Sequence, residues 1–183
     1  KEHNTFQNRM FVLESEDTNK DWIEKGRVKT KMDTFSLDAT VFEHRGEYYY
    51  VWAQKDPDIL GNSNLYIAKM ENAWTIKQPE VMITKPEYDW ECSVIPVNEA
   101  PAVVKNKDTI NIAYSANATG TEYCMGLLTA KVDDNLLDAS VWVKSNVPIF
   151  STDISKNIFG PGHNSFTIAE DGVTPILVYH ARQ

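Results

Sequence analysis

Three segments of the chain share one pattern: residues 38–44 (DATVFEH), 99–105 (EAPAVVK) and 163–169 (HNSFTIA). Each begins with an ionisable residue, continues as a short apolar run and leads through a turn into a second apolar run. The turns contain the Gly, Asn or Asp that tight hairpins require. The pattern predicts three β-hairpins whose first residues stand 61 and 64 positions apart.

The rest of the chain extends these hairpins into a longer repeat. Residues 64–70 and 123–132 read as third strands, and each is followed by a tryptophan and a further short apolar run. Residues 9–28 look like the outer half of an earlier unit, and helical periodicity is almost absent. A period near 60 residues with four strands per unit is typical of the four-stranded blades of a β-propeller. The sequence therefore predicts an all-β propeller.

The repeat divides a single partial propeller domain, residues 1–183, into four units. We expect the outer half of a blade at 1–35, whole blades at 36–85 and 86–150, and the inner half of a blade at 151–183. Propellers typically close with about four to eight blades, so this content predicts a fragment of a longer chain. Its exposed strand edges would pair with the missing blades or with another copy.

Composition and charge limit the partners. The chain is 42% hydrophobic, and its formal net charge is −8. Lys and Arg are scattered, whereas nucleic-acid binding needs them clustered, so we expect no nucleic-acid partner. No run approaches the roughly 18 apolar residues of a membrane span, so we expect no membrane partner. Cys92 and Cys124 fit no metal-binding spacing, and both a disulfide and two buried thiols stay open.

Repeat position brings three candidate site residues together. The innermost strand of each blade begins near the propeller axis, so equivalent residues of successive repeats converge there. Asp38, Glu99 and His163 hold this place in the three hairpins. Two carboxylates and an imidazole around a common pocket form a set that acid–base chemistry can use. The alternative is that each is a solvated or capping residue at the start of a strand.

The same blade starts carry a family resemblance. Residues 36–42 (SLDATVF), 97–102 (VNEAPA) and 159–166 (FGPGHNSF) resemble successive blade starts of glycoside hydrolase family 43, a family of five-bladed propellers. Residues 114–116 (YSA) and 179–182 (YHAR) fit the same pattern, which is most similar to the α-L-arabinofuranosidase-type branch. The resemblance covers nearly all of the 183 residues.

The resemblance implies a role for each axial residue. Glu99 would be the general acid that protonates the leaving glycosidic oxygen, and Asp38 would raise the pKa of this acid and orient it. A neighbouring like charge does favour the protonated form of a carboxylic acid. His163 would lie near the axis and contact the substrate, and in several members this histidine contacts a calcium ion or a water. No cofactor would be required, so such a calcium would be structural.

The resemblance also implies inverting hydrolysis, which needs a second carboxylate as general base about 6.5–9.5 Å from the acid. The family takes that residue from its first blade, which the repeat spacing places before Lys1. We therefore expect no general base in this chain and little or no activity of the fragment alone. Many members have Gly where this chain has Ala100; Ala loses easy access to positive φ, and we treat it as a tolerated variation.

Two tryptophans are candidates for different roles. Trp90 precedes Glu99 in the chain, and its ring suits stacking on a sugar face, whose C–H groups fit an aromatic surface. The alternative is that Trp90 packs between blades. Trp52 ends an apolar strand, and an aromatic residue in such a run is usually core between blades.

These features predict an exo-acting α-L-arabinofuranosidase that removes arabinofuranose from arabinan or arabinoxylan side chains by single displacement. One alternative is a β-xylosidase of the same family, and another is a non-catalytic propeller piece that binds a carbohydrate or a protein. The partner would be an arabinose- or xylose-containing oligosaccharide or polysaccharide. A polymeric substrate favours a secreted or periplasmic protein, but cytoplasmic members that trim imported oligosaccharides are equally compatible, so the location stays unknown.

Overall fold

The computed structural model describes residues 7–183, and the first six residues of the predicted unit 1–35 lie outside this range. The described part is all-β, with twelve strands, one short α-helix and two 3-10 turns. The strands are β1 (Phe11–Glu14), β2 (Ile23–Arg27), β3 (Ser36–His44), β4 (Glu47–Gln54), β5 (Asn64–Asn72), β6 (Thr75–Thr84), β7 (Asn98–Lys105), β8 (Thr109–Ala116), β9 (Cys124–Lys131), β10 (Val143–Lys144), β11 (Phe159–Ile168) and β12 (Pro175–Arg182). The helix is α1 (Asp89–Cys92), and the 3-10 turns are Ala139–Val141 and Ile154–Lys156.

The strands form four sheets that follow one another along the chain. β3 to β6 make one four-stranded sheet and β7 to β10 make another, and in both sheets neighbours in sequence are hydrogen-bonded neighbours in space. β1 with β2, and β11 with β12, make two-stranded sheets, and all pairings are antiparallel. Two whole blades flanked by two half blades confirm the predicted partial β-propeller.

The alternation of side chains along β4 builds a core on both faces of its sheet. Val51 and Ala53 pack on one face with residues of the next blade such as Ile112. Trp52 lies on the opposite face and packs beside the first sheet with Val28. Trp52 is fully buried, so its predicted place in the core between blades is confirmed. Successive residues of a strand point to opposite faces, and each face of this blade is therefore covered by a neighbouring sheet.

The two whole blades are joined where the inner strand of the second one begins. The backbone N–H of Asn98 donates a hydrogen bond to the carbonyl oxygen of Ser63 at 3.0 Å. Gly61 lies so close to Pro96 that a Cβ at position 61 would stand 2.4 Å from the Pro96 carbonyl oxygen. These contacts hold the start of β7 against the loop before β5, and they thereby position Glu99.

The two cysteines are free thiols in this structure. Cys92 ends α1 and is partly buried, whereas Cys124 begins β9 and is buried. Burial raises the pKa of both thiols, and it raises that of Cys124 to about 12. The structure therefore agrees with packed thiols rather than with a disulfide.

Candidate active site

The candidate site lies at β-bulges that recur at the start of each inner strand. The strand register shifts after Leu37 in β3, after Glu99 in β7 and after Gly162 in β11. The residue that follows each shift has a positive φ angle: Asp38 (54°), Ala100 (48°) and His163 (45°). A bulge bends its strand and redirects a side chain. The same kind of bulge therefore determines the backbone conformation at each of the three blade starts.

The bulges correct the predicted alignment of the three blade starts by one residue. Asp38 and His163 occupy equivalent positions, but the residue that matches them in β7 is Ala100, and Glu99 precedes it. Ala100 adopts a positive φ although its Cβ disfavours that conformation. Its backbone N–H donates a hydrogen bond to Oδ2 of Asp38 at 3.2 Å. The bulge thus joins the residue beside the predicted acid to the neighbouring carboxylate.

Asp38 influences the ionisation of Glu99, and both carboxyl groups have a raised pKa. Burial raises the pKa of Glu99, a hydrogen bond from Tyr123 opposes this rise, and the negative charge of Asp38 adds to it. Burial also raises the pKa of Asp38, against the opposing effects of the positive charge of His163 and the N–H of Ala100. A carboxyl group with a raised pKa keeps its proton closer to neutral pH, as a general acid requires.

Tyr123 also contacts Glu99, and the sequence analysis did not identify it. The residue lies just before β9, and its hydroxyl donates a hydrogen bond to Oε1 of Glu99 at 2.7 Å. Its side chain is almost completely buried. The two residues are 24 positions apart in the chain, and no motif at position 123 marks this contact.

His163 lies close enough to both carboxyl groups for its positive charge to affect their ionisation. Its backbone N–H donates a hydrogen bond to Oγ of Ser115 at 2.7 Å, and its ring centroid is 6.0 Å from that of His180. Calcium prefers roughly six to eight oxygen ligands. Within residues 7–183, no group of three or more His, Cys, Asp or Glu side chains is placed to hold a metal ion.

Trp90 makes contacts that are typical of a packed residue. Its ring stacks with Tyr88 and Tyr114 at centroid distances of 6.1 and 6.4 Å. The indole N–H donates a hydrogen bond to the carbonyl oxygen of Asn146 at 3.1 Å. The ring is partly buried against the core that the two whole blades share. These contacts favour the packing alternative, and a contact of Trp90 with substrate stays a prediction.

An open cavity of about 1,210 Å³ lies beside Glu99 and is lined by both whole blades and by the segments that contain Arg9 and Asp33. Its walls include Leu37 and Lys55 from the first of these blades and residues 94–97 and 117–119 from the second. Ligand pockets for small molecules measure about 300–1,000 Å³, so this cavity has room for a larger ligand. Glu99 is the member of the predicted set that lines its wall, so a ligand bound there can meet this carboxyl group.

The sequence and structure are similar to those of known proteins. The family model "Glycosyl hydrolases family 43" matches residues 1–183. The chain is 51% identical over 178 residues to "Alpha-L-arabinofuranosidase 43" of Humicola insolens and 48% identical over 162 residues to "Extracellular exo-alpha-(1->5)-L-arabinofuranosidase" of Streptomyces chartreusis. It superposes on 57% of the chain of a crystal structure of alpha-L-arabinofuranosidase from Lactobacillus brevis, with a TM-score of 0.95, 53% identity and 99% of this chain covered.

These relatives are longer than the matched region. The alignments cover 95% and 88% of this chain but only 37% of the Humicola protein and 49% of the Streptomyces protein. The match of the family model over the whole chain, together with relatives near half identity, agrees with the sheet order of a partial propeller. On this evidence the chain belongs to glycosyl hydrolase family 43.

Proposed function

We propose that this chain carries the general acid of an exo-acting α-L-arabinofuranosidase that hydrolyses its substrate with inversion. The observation that carries the proposal is the position of Glu99, which lines the large cavity while Asp38 and His163 act on its ionisation. We assign Glu99 as the general acid and Asp38 as the carboxylate that keeps it protonated and orients it. We further propose that His163 and Trp90 contact the substrate.

Glu99 would transfer its proton to the glycosidic oxygen as the bond to the sugar breaks. The leaving group then departs as a neutral alcohol rather than as an alkoxide. Burial and the charge of Asp38 raise the pKa of Glu99, so more of it is protonated at neutral pH than of an exposed glutamate. After the transfer two carboxylates are charged, and the positive charge of His163 offsets part of their repulsion.

Inversion also needs a water molecule activated by a general base on the opposite side of the sugar, about 6.5–9.5 Å from the acid. Asp38 accepts a hydrogen bond from the N–H of Ala100, and its charge raises the pKa of Glu99. We therefore assign the base to no residue of this chain. The activity is therefore proposed for the protein in which Glu99 and Asp38 meet such a carboxylate. We propose no step of this chemistry through the structural calcium expected near His163.

The names of the relatives support the substrate class and the location. The Humicola and Streptomyces chartreusis proteins are both named arabinofuranosidases, and the second is named extracellular. We propose arabinan or arabinoxylan side chains as the substrate and secretion as the fate of the protein. Within residues 7–183, the structure contains no helix that is long and apolar enough to cross a membrane.

The test compares two leaving groups. An arabino-oligosaccharide must be protonated by the acid as it leaves, whereas p-nitrophenolate leaves without a proton. In the protein that also supplies the general base, the variant Glu99→Gln should therefore lose about 100-fold or more in kcat/KM on the oligosaccharide and much less on p-nitrophenyl α-L-arabinofuranoside. Glu71→Gln, which changes an exposed carboxylate at the end of β5, is the matched control and should leave both rates unchanged.

Three results would count against the proposal. Equal losses on both substrates would show that Glu99 is not the acid. Faster hydrolysis of p-nitrophenyl β-D-xyloside than of the arabinofuranoside would favour the β-xylosidase alternative. Retention of the anomeric configuration in the first-formed sugar, observed by proton NMR, would overturn single displacement.

A further inference from the structure

We propose that Tyr123 is a positioning residue for Glu99: its hydroxyl fixes one oxygen of the acid and supports the carboxylate that remains after proton donation. This inference rests on the proposed function, because it gives Tyr123 a part in the cycle of the general acid. The contact itself is a hydrogen bond of 2.7 Å from the Tyr123 hydroxyl to Oε1 of Glu99. With Oε1 held in this way, Oε2 is the oxygen left to carry the proton toward the substrate.

The ring of Tyr123 is held in place from several sides. A Cβ at position 162 would lie 2.2 Å from Cε1 of this ring, so the glycine there allows β11 to pack directly on it. The ring of His180 stacks on Tyr123 with a centroid distance of 5.9 Å and an interplanar angle of 20°. Only 1% of Tyr123 is exposed to solvent. A residue held this firmly presents its hydroxyl in a single direction, and that direction is toward Glu99.

The chemistry of a phenol suits this task. Burial and the negative charge of Glu99 raise the pKa of Tyr123 above its ordinary value, so the hydroxyl keeps its proton and acts as a donor. A phenol donates this hydrogen bond without adding a positive charge. It can therefore stabilise the carboxylate form while burial and Asp38 still keep the pKa of Glu99 raised.

Other groups also act on this carboxyl or on its partner, and the Ser115 side chain forms a hydrogen bond with Tyr123. Asp38 from β3 raises the pKa of Glu99, and His163 from β11 lowers it when it is positively charged. His180 from β12 contacts the rings of both Tyr123 and His163. The contribution of Tyr123 must therefore be measured by removing its hydroxyl alone.

The direct test is a carbon-13 NMR titration of the Glu99 carboxyl group in the intact protein, with its signal assigned by its loss in Glu99→Gln. Tyr123→Phe keeps the ring and removes the donor. The midpoint for Glu99 should rise by about one pH unit, the size expected for the loss of one hydrogen bond to a charged group. A midpoint that stays unchanged or falls would overturn the proposal.

A matched control exists in the same sheet. Tyr114 is also buried, and its hydroxyl donates to a different carboxylate, that of Glu91, at 3.0 Å. Tyr114→Phe therefore removes the same kind of contact and should leave the midpoint for Glu99 unchanged. An equal shift in both variants would mean a general loosening of the sheet and would contradict a specific role for Tyr123.

Kinetics give a second measurement. If the midpoint for Glu99 rises in Tyr123→Phe, the basic limb of the kcat/KM profile on an arabino-oligosaccharide should move to higher pH in parallel, with a lower maximum rate. A lower rate with an unmoved limb would overturn the proposed role. If the protein that also supplies the general base hydrolyses no arabinofuranoside, the proposed function fails, whereas the titration still decides whether Tyr123 controls Glu99.

Discussion

At the scale of single residues, Glu91 shows how a buried charge supports the site without belonging to it. The residue lies in α1 and is fully buried. One carboxylate oxygen accepts hydrogen bonds from the Asn98 amide at 2.8 Å and from the Tyr114 hydroxyl at 3.0 Å. The other accepts from the backbone N–H of Tyr88 at 3.0 Å and from Nζ of Lys144 at 2.7 Å. Because Asn98 directly precedes Glu99, this cluster anchors the start of β7.

The variant Glu91→Gln should be strongly destabilised. The substitution keeps the shape of the side chain, but it leaves the buried ammonium group of Lys144 without its close buried counter-charge. The free energy of unfolding should fall by about 3–5 kcal/mol, measured by urea denaturation. Glu47→Gln breaks the exposed pair with Lys69 and should cost less than about 1 kcal/mol. Losses of equal size in the two variants would contradict this account.

The sequence could reveal some of the site residues but not the others. Asp38, Glu99 and His163 could be predicted as candidates because the repeated blade start places them near one another. The one-residue offset at Glu99 could not be predicted, because it depends on the position of a bulge in the strand pairing. Tyr123 could not be identified either, since its partner Glu99 lies 24 positions away and no pattern in the chain links the two.

At the scale of elements, the packing of β11 against the second whole blade depends on Gly162. A Cβ at this position would stand 2.2 Å from the Tyr123 ring and 2.9 Å from Oγ of Ser115. Gly162→Ala must therefore displace β11 or the ring, and overpacking of this kind typically costs about 1–3 kcal/mol. Urea denaturation should show this loss, and the Tyr123 contact with Glu99 should weaken with it.

Gly120→Ala is a suitable control for this prediction. A Cβ at position 120 would meet only the flexible end of the Glu122 side chain. The expected change in the free energy of unfolding is below about 0.5 kcal/mol, as for most surface substitutions. If the two alanine variants had equal stability, direct packing of β11 on Tyr123 would not be what holds this strand in place.

The strands that the sequence predicted are those with buried apolar alternation. The hairpins formed by β3 with β4 and by β7 with β8 lie close to their predicted bounds. β2 (IEKGR) was not predicted because it is polar, and the first half of β6 was missed because Gln78, Pro79 and Glu80 interrupt any apolar pattern. β11 begins at Phe159, before the predicted segment 163–169, because the Gly-Pro-Gly run 160–162 looks like a loop. Strand pairing, rather than local composition, makes these segments β.

At the scale of the whole molecule, the sheets are held together by two apolar clusters. The larger one lies between the two whole blades, and the smaller one lies between the first sheet and the first whole blade. The short apolar runs in the sequence predicted the strands, and the repeat predicted their order in the blades. The site lies where the inner strands of neighbouring sheets meet, so its geometry depends on how the sheets pack and could not be predicted from any single hairpin.

Because Glu99 is held at this junction, the free energy of unfolding of the protein should depend on pH. The pKa of Glu99 is raised above its ordinary 4.5 in the folded protein, so above that pH the folded state binds more protons than the unfolded state. The free energy of unfolding then falls as the pH rises through the folded pKa.

The variant Glu99→Gln removes this ionisation. Its melting temperature, relative to that of the wild type, should therefore increase between about pH 4 and pH 8. Scanning calorimetry measures the difference, which should stay flat for the exposed control Glu71→Gln. A difference for Glu99→Gln that is flat or that falls with pH would show that folding does not raise the pKa of this acid.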